Sequence, residues 1–345
     1  YYIKFARFLE ENGNGKLNCN SSDICTNHKV YCEKLKMFFL DCQQRFDVNY
    51  WKLDGFLVRP PQPDPQGNYI SGGYQKRNDL WINLTCYVNP SPWFLQWGNS
   101  VWMQNSQDIG RLNVKRPSQL DQLLSYRDDR YFDFVKTRAF QFPLAHLYNP
   151  DPIYGNTANL AGKMDDDEFR TYLMMMATRG SAFWELYYSY NMMNEGQKWV
   201  INADVLHWIN DNYETLKHAK LIGQTPAKGT PYGYSAWSGQ EGIISVRNPS
   251  DEVKEFTFPL DRTIGMPEGL KGLHRTYVWA YRTDEQKAED TENHLFDYGG
   301  QISLSLQPGE VRIWKFSTVP DKEAPALRIV KTTSPTSLTV ELNEP

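Results

Sequence analysis

In the stretch 47–61, DVNYWKLDGFLVRPP, Lys52 and Asp54 interrupt a run of Val48, Tyr50, Trp51, Leu53, Phe56, Leu57 and Val58 that otherwise reads as a buried strand. Side chains two apart on a strand share a face, so the lysine and the aspartate project together. As a purely structural ion pair they would bear a desolvation cost without clear net gain, which ranks a chemical role first. A second carboxylate, Asp108, follows another strand-like run in SVWMQNSQDIG. Two carboxylates brought to one cleft from different strands suit double displacement at an acetal carbon. One attacks, and the other protonates the departing oxygen and later activates water. Lys52 would then hold Asp54 ionised and donate to sugar hydroxyls.

Such a pair needs a scaffold that delivers strand ends to one place, and helix-like and strand-like patterns alternate up to about residue 222. KVYCEKLKMFFLDCQQRF has helical spacing and leads into the strand at 48–58. After a loop rich in Pro, Gly and Asn come the strand LWINLTCYV, the turn SPWFLQWG and the short strand SVWMQ. SQLDQLLSYRDDRYFDFV reads as helix, AFQFPLAHL as strand, DDDEFRTYLMMMATRG as helix and WVINADVLHWINDNYETLKHAKLI as a closing helix. Alternation of this kind implies β/α units on a parallel sheet. The number of units fits a doubly wound sheet or most of a (β/α)8 TIM barrel, whose strands carry chemistry at their C-terminal ends. From about residue 233, segments such as GYSAWSGQEGIISVRNPS and GGQISLSLQPGEVRIWKF alternate apolar and polar residues between turns, the pattern of an antiparallel β-sandwich. LRIVKTTSPTSLTVELNEP starts a fresh strand pattern after STVPDKEAPA. The expected division is a catalytic β/α barrel over 1–222, a β-sandwich over 223–318, and a linker with the start of an immunoglobulin-like module over 319–345.

The formal net charge of −4 and the absence of a basic block argue against a nucleic-acid partner. No run approaches the roughly 18 apolar residues of a membrane-spanning helix. The 11 Trp and 21 Tyr supply flat apolar faces with polar tips, which suit sugar rings as well as a large aromatic core. The five cysteines have no metal-ligand spacing and read as mostly free thiols, and no cofactor is expected. Within YRDDRY the charges read as a solvated cluster from which Arg127 reaches toward the cleft. TRGSAFWELYYS places Arg179, Trp184 and Glu185 near what would be the last barrel strand, where Trp184 and Glu185 suit a sugar platform and a hydroxyl ligand or, equally, a packed aromatic and a surface glutamate. Met174 to Met176 read as helix filling, and His146 and His207 as structural histidines.

At YWKLDGF the chain resembles the melibiase-like superfamily of retaining α-galactosidases and α-N-acetylgalactosaminidases, whose nucleophile strand carries K-x-D after an aromatic residue. The resemblance makes Asp54 the nucleophile and Lys52 a ligand of sugar hydroxyls. INLTCYVNPSP is similar to the next strand of that family, with a cysteine before a small-residue turn, and implies that Cys86, with Asn89 or Ser91, lies near the sugar. The family's acid/base aspartate comes one strand later and matches Asp108. Where members often carry an arginine four residues earlier, or a Ser-Asp pair, this chain has Gln104 and NSQD. The resemblance covers about residues 20–318 and implies that the first barrel strands lie upstream of Tyr1. It implies cleavage of terminal α-galactosyl or α-N-acetylgalactosaminyl residues from an oligosaccharide or glycoconjugate, by a secreted or cell-surface bacterial enzyme. Two other readings stand beside it: a carbohydrate-binding or adhesin protein on an inactive glycosidase scaffold, and a related retaining α-glucosidase or α-xylosidase. The paired aspartates favour an enzyme, since a lectin has no use for two carboxylates across a scissile bond.

Overall fold

The first helix, α1 (Lys29–Phe46), follows the spacing read from the sequence and turns through Asp47, at φ 55°, into strand β1 (Tyr50–Asp54). The computed structural model describes residues 29–54, 79–85, 91–96, 98–103, 106–108, 110, 112, 118–140, 142–155, 163–283, 294–319, 328–329 and 340–341. Strands β2 (Trp81–Thr85), β3 (Ser100–Trp102) and β4 (Leu147–Tyr148) join β1 in one parallel sheet whose neighbours follow chain order. Its register pairs Tyr50 with Trp81, Asp54 with Thr85, Asn83 with Ser100 and Val101 with Leu147. Parallel strands are covered on both faces, and Leu84, Val101 and Leu147 are buried accordingly.

Helix α2 (Gln119–Phe132) carries the chain from β3 to β4, starting at Ser118, whose side chain accepts the Asp121 amide. The strand expected over 139–147 contracts to β4, because Pro143 lacks a donor and a short 3-10 turn, Leu144–His146, follows it. Strand β5 (Ile153–Tyr154) pairs in parallel with β6 (Tyr187–Tyr188), and α3 (Asp166–Thr178) lies between them in sequence. A capping box between Asp165 and Glu168 starts α3. Met174, Met175 and Met176 are all buried on it. The short α4 (Tyr190–Met193) and the long α5 (Lys198–Leu216) follow. The closing helix therefore ends at Leu216, earlier than its apolar pattern suggests, and Lys220–Gly223 becomes strand β7.

Beyond this point the chain forms antiparallel sheets. One contains β7, β8 (Tyr232–Ser238), β9 (Glu241–Arg247), β11 (His274–Tyr281) and β13 (Val311–Ser317), in the order β11-β13-β9-β8-β7. The other pairs β10 (Lys254–Pro259) with β12 (Gln301–Leu306). Ile244, Val246, Trp314 and Phe316 from the larger sheet share an apolar cluster with Phe256, Phe258, Ile302 and Leu304 from the pair. The opposite face of the larger sheet presents Tyr232, Tyr234, Ala236, Ile243, Val311 and Ile313 to the cluster that contains Phe169 and Leu173 of α3. Period-two alternation thus gives this sheet two different partners, one on each side.

Candidate active site

The carboxyl ends of the four parallel strands point the same way, so whatever follows each strand gathers at one end of the sheet. Lys52 reaches across from β1 to Glu185, with Nζ 2.9 Å from Oε1 and 3.1 Å from Oε2, and donates to the Tyr187 hydroxyl at 3.2 Å. Tyr148, at the end of β4, and Tyr187 both donate to Glu185 Oε2. An aromatic stack holds the segment that carries Glu185. Phe183 lies 5.1 Å from the Tyr50 ring at an interplanar angle of 14°, and also contacts Trp81 and Tyr148. Backbone bonds add to this: the Glu185 amide donates to Asp151 O at 2.9 Å and the Tyr187 amide to Pro152 O at 3.0 Å.

Burial alone would lower the pKa of the Lys52 ammonium, but hydrogen bonds to Glu185 and Tyr187 outweigh it and the net shift is upward. Burial and the neighbouring Glu185 carboxylate push the Tyr148 phenol up. Both groups therefore remain protonated donors across the neutral range, and the cluster offers a carboxylate with fixed donors of the kind that binds vicinal hydroxyls.

A second polar cluster lies beside the first. Arg127 of α2 is 3% exposed, and its Nε stands 2.8 Å from Asp151 Oδ2. Arg179, past the end of α3, approaches the same oxygen at 3.5 Å through Nη1 and binds Asp128 through Nε at 2.7 Å. Asn149, Asp151, Arg179, Ser181, Phe183 and Trp184 line a small cavity open to solvent.

The expected site residues distribute as follows. Lys52 and Glu185 come together, Trp184 lines the cavity, and Arg127 pairs with Asp151, another lining residue. Asp54 closes β1 opposite Thr85, and its side chain lies outside the described residues. Asp108 follows β3 as an exposed residue whose carbonyl accepts from Arg127 Nη2 at 2.8 Å. Ser91 precedes the 3-10 turn Pro92–Gln96 and is not among the residues lining the cavity. Cys86, Asn89 and Gln104 fall outside the described residues. Cys42 is a free thiol, and no cluster of His, Cys, Asp or Glu suited to a metal occurs among the described residues. His146 binds the Asn99 carbonyl through Nδ1 at 2.7 Å, a structural contact.

The expectation of a solvated charge cluster in YRDDRY is overturned, since Arg127, Asp128 and Asp129 are buried and paired with groups distant in sequence. Tyr148, Asn149, Asp151 and Tyr187 were not singled out from the sequence. The available signal was NPDP directly after an expected strand, which is where a parallel sheet places its functional loops.

No family model and no curated protein matches the sequence. Solved structures do match in fold. A candidate α-N-acetylgalactosaminidase from Bacillus halodurans superposes with a TM-score of 0.50 at 12% identity, covering 85% of this chain and 63% of that one. A doubly substituted α-galactosidase from Geobacillus stearothermophilus, with raffinose bound, gives 0.50 at 10% identity over 90% and 42%. An α-amylase from Geobacillus thermoleovorans, complexed with acarbose, gives 0.50 at 12% over 84% and 64%. The chain thus shares the fold of glycoside hydrolases, among them the α-galactosidase and α-N-acetylgalactosaminidase group that YWKLDGF resembles, and spans less than two thirds of each of these three chains.

Proposed function

We propose that this chain is the later part of a (β/α)8 catalytic domain, about residues 1–222, followed by a β-sandwich over 223–318 and a linked module over 319–345. In this reading it belongs to a retaining glycoside hydrolase that removes terminal α-galactosyl or α-N-acetylgalactosaminyl residues. Asp54 attacks the anomeric carbon, and Asp108 protonates the leaving oxygen and then activates water. Lys52 and Glu185 bind sugar hydroxyls, and Trp184 supplies an apolar wall. The observation that supports the reading is positional: Asp54 ends β1 and Asp108 follows β3, two strands of one parallel sheet, and Lys52 of β1 pairs with Glu185. A retaining enzyme requires the two carboxyl groups to lie about 5–5.5 Å apart.

The test is kinetic and uses the full-length protein with aryl α-galactoside, α-N-acetylgalactosaminide and α-glucoside. Asp54→Ala should abolish turnover on every leaving group, and azide should restore part of it as a glycosyl azide of inverted configuration, because a small anion fits the vacated space. Asp108→Ala should spare activated aryl substrates and lose unactivated ones. Equal loss on both would remove Asp108 from the acid/base role. The equal likeness to an α-amylase supports a second reading, cleavage of an α-glucosyl bond by the same two aspartates, and preferential turnover of the α-glucoside would select it.

A further inference from the structure

Both terminal nitrogens of Arg127 donate to the protein itself. Nη1 donates to Ser106 Oγ at 2.7 Å, to the Gln107 carbonyl at 3.2 Å and to Asn149 Oδ1 at 3.3 Å. Nη2 donates to the Asp108 carbonyl at 2.8 Å and to Asp151 Oδ1 at 3.2 Å, while Nε faces Asp151 Oδ2 at 2.8 Å. A guanidinium has five N–H groups in a rigid fork, and here the fork grips three consecutive residues of the segment after β3. The neighbouring helix residue helps, because the Gln107 amide donates to the Tyr126 hydroxyl at 2.9 Å. Asp151 and Asn149, which follow β4, fix the guanidinium from the other side. Ser106 Oγ also donates to Asn149 Oδ1 at 3.0 Å, which closes the network.

We propose that Arg127 is a positioning residue for Asp108: it holds the 106–108 backbone so that the exposed Asp108 carboxyl is aimed at the departing oxygen, and it does not itself bind sugar. The proposal rests on the reading of Asp108 as the acid/base group. The physical need is clear. Asp108 is exposed, so packing of its side chain cannot orient it, and its placement depends on its own backbone. Displacement of a reacting group by about 1 Å costs on the order of 10²-fold in rate. A buried arginine held by Asp151 and Asn149 supplies a rigid anchor at that backbone. Because a general acid matters only when the leaving group needs a proton, the consequence of loosening the anchor depends on the leaving group.

The experiment measures Arg127→Lys beside Asp108→Ala in the full-length protein, on an activated aryl glycoside and an unactivated alkyl or sugar glycoside. Lysine keeps the charge against Asp151 but loses the fork. Arg127→Lys should lower kcat on the unactivated substrate by about 10²-fold and leave the activated one within about threefold, with KM little changed. Guanidinium ion should restore part of the unactivated turnover in Arg127→Ala. A raised KM on both substrates with kcat retained would make Arg127 a sugar ligand and overturn the proposal, as would equal loss of kcat on both. Ser106→Ala, which removes one acceptor and no charge, should give the same split at smaller size if Arg127→Lys fails to fold. Should Asp108→Ala itself lose both substrates equally, the acid/base reading falls, and hydrogen exchange then decides the anchor alone. Amides of 106–110 should exchange faster in Arg127→Lys while those of α2 do not, and unchanged exchange there overturns the proposal.

Discussion

Glu185 accepts from two phenols and pairs with an ammonium, yet it is only partly buried, with 19% of its side chain exposed. Neutralising it leaves three donors facing an amide. Glu185→Gln should therefore lower stability at pH 7 by about 1.5–3 kcal/mol, the range for hydrogen bonds to a charged group, and should weaken substrate binding as well. The pH dependence follows from Lys52. Its folded pKa is raised, so its contribution is complete below the unfolded lysine value of about 10.4 and is lost only as pH climbs through the folded one. The stability difference between the wild-type protein and Glu185→Gln should then be flat from about pH 6 to 9 in urea titrations. A difference that disappears by about pH 8 would show that Lys52 is not the partner that matters. Lys52 itself was legible in the sequence because a charge in an apolar strand has no local excuse. Tyr148 and Tyr187 were not, since a tyrosine among many tyrosines carries no such mark until its hydroxyl is seen on Glu185.

Helices declared themselves through their periodicity. α1 matches the expected span residue for residue, and α3 falls within its expected limits. The charges on α2 did not, because local spacing says where a side chain points on the helix and not what waits there. The partners of Arg127 and Asp128 lie about 20 to 106 residues away along the chain. The segment from α3 to Glu185 depends on one backbone position. Gly180 has φ +72°, and a Cβ there would stand 2.1 Å from the Leu216 carbonyl oxygen at the end of α5. No flexible side chain is available to yield. Gly180→Ala should destabilise by more than about 1 kcal/mol in urea unfolding, from left-handed strain and from displacement of α5. A neutral result would mean that the turn is not held against the helix as described.

The α/β part and the antiparallel sheet meet through charge as well as apolar contact, which the sequence pattern did not foretell. Alternation along the later strands marks them as antiparallel. It does not disclose that Tyr232, Tyr234 and Arg247 of one sheet face bind acids of α2. Asp121 pairs with Arg247 at 2.7 Å. Asp128, fully buried, accepts from Tyr232, from Tyr234 at 2.7 Å and from Arg179. Asp129 accepts from Thr225 at 2.6 Å. Burial and Asp128 push the Tyr234 phenol well above its ordinary range, so it stays a donor. Asp128 is thus the common partner of an arginine at the cavity and two tyrosines of the sheet. Asp128→Asn leaves Arg179 buried with only its longer 3.5 Å contact to Asp151 and should cost up to about 3–5 kcal/mol, the range for breaking a buried ion pair from one side. Because the Asp128 network reaches the sheet through Tyr232 and Tyr234, the loss should move one shared transition and not split it. Far-ultraviolet circular dichroism follows the helices, and hydrogen exchange at the amides around the fully buried Trp314 follows the sheet core. In urea both signals should shift together in the variant, with coincident midpoints, as in a two-state unit. Separate midpoints in the wild-type protein would show that the two parts fold independently. In that case the Asp128 network would be a contact between finished domains, and the shift in the variant should appear in only one of the two signals.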